Sequence, residues 1–74
     1  MSISTEELLK EIQKPKYKEE PLDVWLDLDP VKVNYIFYFD NQKLYTLGDD
    51  NEILESWTLD EFLFKFTLCD WIIN

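Results

Sequence analysis

The alternation of apolar and polar residues between positions 22 and 29 constrains the fold of this chain more than any other feature. Its apolar members are Leu22, Val24, Leu26 and Leu28, and its other members are Asp23, Trp25, Asp27 and Asp29. Because successive side chains of a strand point to opposite faces, this period of two predicts a half-buried strand with its aliphatic side chains in the core. Asp29-Pro30 then ends the strand.

Further strands follow, separated by turn-forming residues. The predicted ranges are 31–39, 43–47 and 52–56. In the first of them, Ile36 and Tyr38 would point away from the core. The register of the following hairpin decides whether Tyr45 or Leu44 joins them on that face.

Two helices are predicted from capping boxes, in which an N-cap hydroxyl and a glutamate three residues later each accept a backbone N–H. Ser4 and Glu7 match the first box, and Thr58 and Glu61 match the second. The helices are therefore expected at about residues 5–13 and from Leu59 onward.

Together these elements predict one α+β domain. It would contain an N-terminal helix, a three- to four-stranded antiparallel sheet and a C-terminal helix, with both helices on one sheet face. The expected divisions of the single domain 1–74 are an N-terminal helix in 1–14, a linker at 15–21, the sheet at 22–57 and a C-terminal helical segment at 58–74. Within the last segment, residues 67–73 could continue the helix or form a strand.

Charge divides the chain into two parts. Residues 1–18 carry four lysines against three glutamates, whereas residues 19–74 carry thirteen carboxylates against three lysines. The net charge of −9 would repel nucleic-acid phosphates, so direct binding to DNA or RNA is not expected. An acidic surface rich in aromatic residues suits a basic protein partner instead.

Missing residue types exclude several kinds of site. The chain has no His, which is the commonest general base and transition-metal ligand. Oxygen-rich stretches at 27–29 and 49–52 lack the ligand spacing of a calcium loop. We therefore expect no enzymatic activity, no catalytic residue, no metal and no cofactor.

Composition also predicts a location. Cys69 is the single cysteine, the N-terminal residues lack the apolar centre of a signal peptide, and the chain contains no run of about 18 apolar residues. A cytoplasmic protein that does not enter a membrane is the expectation. The excess of Lys, Asn and Ile, with no Arg or Ala, indicates an AT-rich genome such as that of a low-GC bacterium or its phage.

The sheet face that points away from the core is the first candidate site. Carboxylates at alternate strand positions would lie roughly 6.5–7 Å apart, which is similar to the spacing of phosphates along a nucleic-acid strand. Aromatics at the centre with charge at the rim are typical of a protein interface. The predicted partner-binding residues are Asp23, Trp25, Asp27, Asp29, Ile36, Tyr38, Asp49, Asp50, Glu52 and Glu55. The alternative is a solvated face whose aromatics only stabilise cross-strand pairs.

The far side of the second helix is the other candidate. Phe64, Leu68 and Trp71 recur at i, i+4 and i+7. With Ile72 they would form an apolar face for a homodimer or for docking. The alternative is that the chain after Phe66 is not helical and folds back onto the core.

The leading functional prediction is a non-enzymatic inhibitor that mimics nucleic acid and blocks the basic groove of a nuclease or another DNA- or RNA-handling enzyme. In size, acidity and element order the chain resembles phage-encoded inhibitors of restriction and CRISPR nucleases as a type, and this resemblance implies an anti-restriction or anti-CRISPR role. Two alternatives stay open. One is an assembly protein that acts through the apolar helix face, and the other is an immunity or antitoxin protein that neutralises a basic toxin.

Overall fold

The computed structural model describes residues 2–74 and arranges them as six strands, two α-helices and a short 3-10 helix. The elements in chain order are β1 (Ser2–Ser4), α1 (Thr5–Ile12), the 3-10 helix (Pro15–Lys18), β2 (Leu22–Asp27), β3 (Lys32–Asp40), β4 (Lys43–Leu47), β5 (Ile53–Thr58), α2 (Leu59–Lys65) and β6 (Asp70–Ile73). The strands form one sheet in the order β1-β6-β2-β3-β4-β5, in which all neighbours are antiparallel.

The predicted fold of three to four strands between two helices is wrong, because the sheet has six strands. The further strands are β1, which precedes α1, and β6, which follows α2. β1 and β6 contain only three and four residues, too few for a period-two pattern to be recognised. They are stabilised by long-range pairing. Trp71 of β6 lies between Ile3 of β1 and Leu26 of β2.

The predicted helical segment at 58–74 is wrong beyond Lys65, where α2 ends. Leu68 adopts a left-handed backbone conformation with a φ of 59°, which is uncommon for any residue but glycine. Trp71 follows in β6 with 0% of its surface exposed. The alternative in which this segment leaves the helix and folds back onto the core is therefore confirmed. Burial of a tryptophan, which removes about 150–250 Å² from water, outweighs the helical spacing of the apolar residues.

The segment predicted as a linker, 15–21, is partly ordered by packing. Its first half forms the 3-10 helix, in which the side chain of Tyr17 is buried. The Tyr17 hydroxyl donates to the Glu11 carboxylate of α1 at 3.2 Å. This contact ties the segment to the helix before it, so the linker prediction is corrected for residues 15–18.

Both capping boxes are confirmed. The Ser4 hydroxyl accepts from the Glu7 amide at 3.1 Å, and the Glu7 carboxylate accepts from the Ser4 amide at 3.0 Å. Thr58 and Glu61 make the same two bonds at 3.1 and 2.8 Å. Each box satisfies two N–H groups that a helix start would otherwise leave unpaired.

The core lies between the helices and the side of the sheet that they cover, here called the helix-side face. Leu22, Val24 and Leu26 are buried there, as the alternation in β2 predicts, whereas Leu28 lies beyond the strand and is exposed. Aromatic rings fill most of the remaining space. The indole of Trp71 lies 5.2–5.8 Å, between ring centroids, from its aromatic neighbours Tyr35, Phe37, Phe62 and Phe66.

A buried hydroxyl joins three elements within this core. The Trp71 indole N–H donates to the Thr5 hydroxyl at 2.9 Å, and that hydroxyl donates to the Phe66 carbonyl at 2.7 Å. The start of α1, the end of α2 and β6 are therefore linked by one chain of hydrogen bonds. This satisfies polar groups whose burial would otherwise be costly.

Candidate functional site

The other side of the sheet, here called the outer sheet face, is the candidate site. Direct cross-strand partners share a face, so the register assigns its members. Asp23 lies opposite Ile36, which lies opposite Leu47, while Trp25 lies between Asn34 and Ile72. Six large side chains of this face are half-buried, and they are Trp25, Ile36, Tyr38, Tyr45, Leu47 and Ile72. Ile53, opposite Leu47 at the edge of the sheet, is exposed.

The hairpin register places Tyr45 on this face. Tyr38 pairs with Tyr45, and their ring centroids lie 6.5 Å apart with the planes tilted by 31°. Leu44, the other candidate, is buried on the helix-side face. The two tyrosines thus present adjoining rings to the outer side of the sheet.

A depression of about 330 Å³ opens beside these rings. Tyr38, Leu47 and Ile53 line it together with Glu19, Pro21 and Asn51. Tyr38, Leu47 and Ile53 come from the neighbouring strands β3, β4 and β5, so the pairing of these strands fixes the shape of the depression. A concave apolar surface with polar groups around it can receive an anchoring side chain of a partner.

The acidic residues of β2 are held by neighbours on β3. The Asn34 side-chain amide donates to the Asp23 carboxylate at 2.6 Å and to the Val24 carbonyl at 2.9 Å. Farther along the strand, the Lys32 ammonium lies 3.8 Å from the Asp27 carboxylate. Asp23 therefore has a fixed orientation without a neutralising charge, whereas Asp27 is partly neutralised.

Asn34 was not predicted as a site residue. Its role depends on standing diagonally across from Asp23 in the β2–β3 register, which the sequence does not determine by itself. A polar residue within an otherwise apolar and aromatic strand was the available signal. Asp70 was also missed, and the structure places it opposite Asp27 on the same face.

The predicted partner-binding residues do not all lie on one surface. Asp23, Trp25, Asp27, Ile36 and Tyr38 lie on the outer sheet face. Asp29 lies in the β2–β3 turn, before a cis peptide bond to Pro30.

The remaining carboxylates of that set lie near β5. Asp49, Asp50 and Glu52 occupy the β4–β5 turn. Glu55 lies opposite Thr46, whose side chain is buried on the helix-side face, so Glu55 points away from the outer sheet face. The bulge lies just before Glu55 in the strand and places Ile53 opposite Leu47 on the outer sheet face.

The predicted apolar helix face is not formed. Phe64 and Leu68 are 86% and 98% exposed, but Trp71 is buried in β6 and Ile72 belongs to the outer sheet face beside Trp25. The prediction assumed a continuous helix, and α2 ends at Lys65. Of the predicted apolar helix face, only the exposed side chains of Phe64 and Leu68, near the end of α2, are present among the described residues.

The pKa shifts that the structure supports belong to α1, α2 and their flanks. The Ser4 backbone N–H lowers the pKa of the Glu7 carboxyl, and the Thr58 backbone N–H lowers the pKa of Glu61 in the same way. The Lys14 ammonium, 2.8 Å away, lowers the pKa of Glu11. These groups have structural partners, and within residues 2–74 no three Cys, Asp or Glu side chains are grouped to hold a metal ion.

Comparison of the chain with protein-family models, with curated proteins and with solved structures found no match. Among the described residues, no helix has both the length and the apolar character needed to cross a bilayer.

Proposed function

We propose that this protein is a non-enzymatic, acidic interaction protein that binds a basic protein partner through its outer sheet face. In its most specific form, the proposal is mimicry of nucleic acid, in which the acidic face occupies the basic groove of a DNA- or RNA-handling enzyme and excludes the substrate. An inhibitor of this kind would act in the cytoplasm of a bacterium, and a phage could encode it.

One observation carries the proposal: both helices pack on the helix-side face, and the outer sheet face keeps three aromatic rings, a depression and acidic side chains. Trp25, Tyr38 and Tyr45 are of the residue types that contribute most to protein interfaces. Asp23, Asp27 and Asp70 surround them. An aromatic centre with a charged rim is the usual anatomy of a recognition surface.

Rigidity supports mimicry. The Asp23 carboxylate is oriented by Asn34 before any partner arrives, so less conformational entropy is lost on binding. Charge supports it as well. A net charge of −9 should speed association with a basic groove and make the affinity strongly dependent on salt.

The test begins with the protein immobilised and exposed to nuclease-treated bacterial lysate, followed by elution with salt and competition by DNA or RNA. We expect recovery of a nucleic-acid enzyme that free nucleic acid displaces. The affinity of that partner is then measured for Asp23→Lys/Asp27→Lys, which should lose at least about tenfold. The matched control is Glu6→Lys/Asp60→Lys, which makes an equal change of net charge on the two helices, away from the outer sheet face.

Two results would contradict the proposal. If the two double variants bind equally well, total charge and not the outer sheet face determines affinity. If the partner is unaffected by excess DNA and RNA, mimicry is wrong, and an immunity or antitoxin role against a basic toxin fits the same surface better.

The exposed pair Phe64 and Leu68 favours a second candidate, assembly through an apolar contact. Sedimentation velocity of the protein and of Phe64→Ser tests it. An oligomer that survives high salt and is lost in the variant would support assembly. A monomer at all concentrations would remove this candidate for contacts between identical chains.

A further inference from the structure

β5 is a free edge of the sheet. Among residues 2–74 it pairs with β4 on one side and with no strand on the other. It is six residues long, whereas β1 at the opposite edge has three. Alternate residues of an edge strand direct their N–H and C=O groups away from the sheet, which makes a long edge a template for another strand.

Proline and lysine, which commonly protect an edge strand from pairing, are absent from residues 53–58 of this edge, although it carries Glu55 and a bulge. Ile53 and Leu54 are 63% and 57% exposed, so no other part of the described chain covers the start of the strand. The bulge opposite Thr46 and Leu47 distorts only that end, and from Glu55 to Thr58 the register with β4 is regular. Most of the edge can therefore accept a partner strand.

The chain segment that contains β5 carries charge of one sign, although Lys43 of β4 lies opposite its last residue, Thr58. Residues 49–61 hold no lysine, and their carboxylates are Asp49, Asp50, Glu52, Glu55, Asp60 and Glu61. They lie before the strand, at its centre and after it. A segment lying along β5 would meet acidic groups over its whole length.

We propose that β5 binds an extended, lysine- or arginine-rich segment of a partner protein as a seventh strand of the sheet. The inference rests on the proposed function in one respect, namely that the partner is basic. It adds the position and the conformation of the bound segment. Backbone hydrogen bonds to β5 supply affinity, and the flanking carboxylates select positive charge.

A second copy of this chain is a poor occupant for the same edge. Antiparallel pairing of two β5 strands would bring Glu55 close to its counterpart and Glu52 close to Asp60 and Glu61 of the other copy. Like charges on facing strands destabilise pairing, and each copy carries a net charge of −9. The charge pattern therefore discriminates against self-pairing and in favour of a basic strand.

The experiment uses NMR of the nitrogen-15-labelled full chain. The probe is a peptide of about eight residues, alternating lysine and threonine with blocked ends, which is long enough to span β5. The control peptide has the same sequence and charge, but all its amides are N-methylated, so it cannot donate backbone hydrogen bonds. We expect the amide signals of residues 53–58 to shift most, and their hydrogen exchange to slow, with the first peptide only.

Matched variants test whether the charge of β5 itself matters. Glu55→Lys should weaken binding of the unmethylated peptide several-fold, whereas Glu6→Lys, which makes the same change of charge on α1, should leave it nearly unchanged. Equal binding of both peptides would overturn the edge inference. So would signal shifts centred on Trp25 and Tyr38, although that result would still support a basic partner on the outer sheet face. If amide hydrogen exchange in β5 becomes slower as the protein concentration rises, without any peptide, then a second copy occupies the edge, contrary to the inference.

Discussion

The two faces of the sheet are both rich in aromatic residues, but they use them differently. On the helix-side face, Phe37, Phe62 and Trp71 are completely enclosed and contact one another at 5.3–5.8 Å between ring centroids. On the outer sheet face, Tyr38 and Tyr45 are 6.5 Å apart and half-buried, with no helix over them. Enclosure by a second layer, and not residue type, separates the aromatics that stabilise the fold from those available to a partner.

Two tryptophans make the contrast measurable at adjacent positions. Leu26 pairs with Trp71 and Trp25 pairs with Ile72, so the two indoles lie on neighbouring strands and one position apart in register. Trp71 faces the helices and Trp25 faces solvent. We therefore expect any difference in how much the two side chains stabilise the fold to come from the face to which each points.

The largest expected effect is that of Trp71→Ala. Replacing a buried tryptophan by alanine costs about 3–5 kcal/mol, and a small domain has roughly 5 kcal/mol or somewhat more to lose. Trp25→Ala should cost about 1 kcal/mol, since only cross-strand contacts on an open face are removed. Urea denaturation measures the loss of unfolding free energy in both variants. If Trp71→Ala does not fold, Trp71→Phe is measured in its place. Equal losses at the two positions would break the comparison.

Thr5→Val tests the polar part of the helix-side face. Valine keeps the shape but leaves the Trp71 indole N–H without its acceptor, while the Phe66 carbonyl still accepts from the Cys69 backbone N–H at 3.3 Å. One buried polar group left unpaired costs about 1–3 kcal/mol, so a destabilisation of that size is expected. Thr5→Ser, which keeps the hydroxyl, is the matched control in the same urea titration. A valine variant as stable as the serine variant would show that the hydrogen-bond chain contributes little.

The sequence predicted those parts of the fold whose causes are local. The capping boxes at Ser4 and Thr58 and the faces of β2 depend on neighbours within a few residues, and the structure confirms them. β1 and β6 depend on each other across almost the whole chain, since Ile3 pairs with Trp71. No local pattern contains that information, so the strand count was predicted wrongly.

The candidate site divides in the same way. Asp23, Trp25 and Tyr38 reach the outer sheet face because strand alternation is local. Glu55 was grouped with the outer-face carboxylates by its charge, although it alternates with Trp57 onto the helix-side face. Trp71 was assigned to a surface because its spacing matched a helix that ends earlier. Apolar spacing alone does not distinguish a second helical face from a short strand that returns to the core.

A smaller effect is expected for Asn34→Ala on the outer sheet face. The substitution removes the hydrogen bonds to Asp23 and Val24, both near the surface, so the stability loss should be about 0.5–1 kcal/mol. Partner affinity should fall more than stability does, because Asp23 is no longer held in place. Asn34→Asp adds a carboxylate that cannot donate a hydrogen bond to Asp23. It should therefore loosen the orientation of Asp23 while it raises the negative charge of the face. If Asn34→Ala leaves partner affinity unchanged, the orientation of Asp23 does not contribute to recognition.

The smallest effect concerns the start of α2 and depends on pH. The Thr58 N–H lowers the folded-state pKa of Glu61 below its usual value of 4.5, so the ionised carboxylate stabilises the fold above that pH. This contribution should disappear as pH falls through the lowered pKa and protonates Glu61. Glutamine can occupy the same capping position but does not titrate, which makes Glu61→Gln the reference. The urea midpoints of the two proteins should differ near neutral pH, with the wild type higher, and should converge once the pH has fallen below the lowered pKa of Glu61. A difference that is constant over this range would mean that the charge of Glu61 has no part in capping α2.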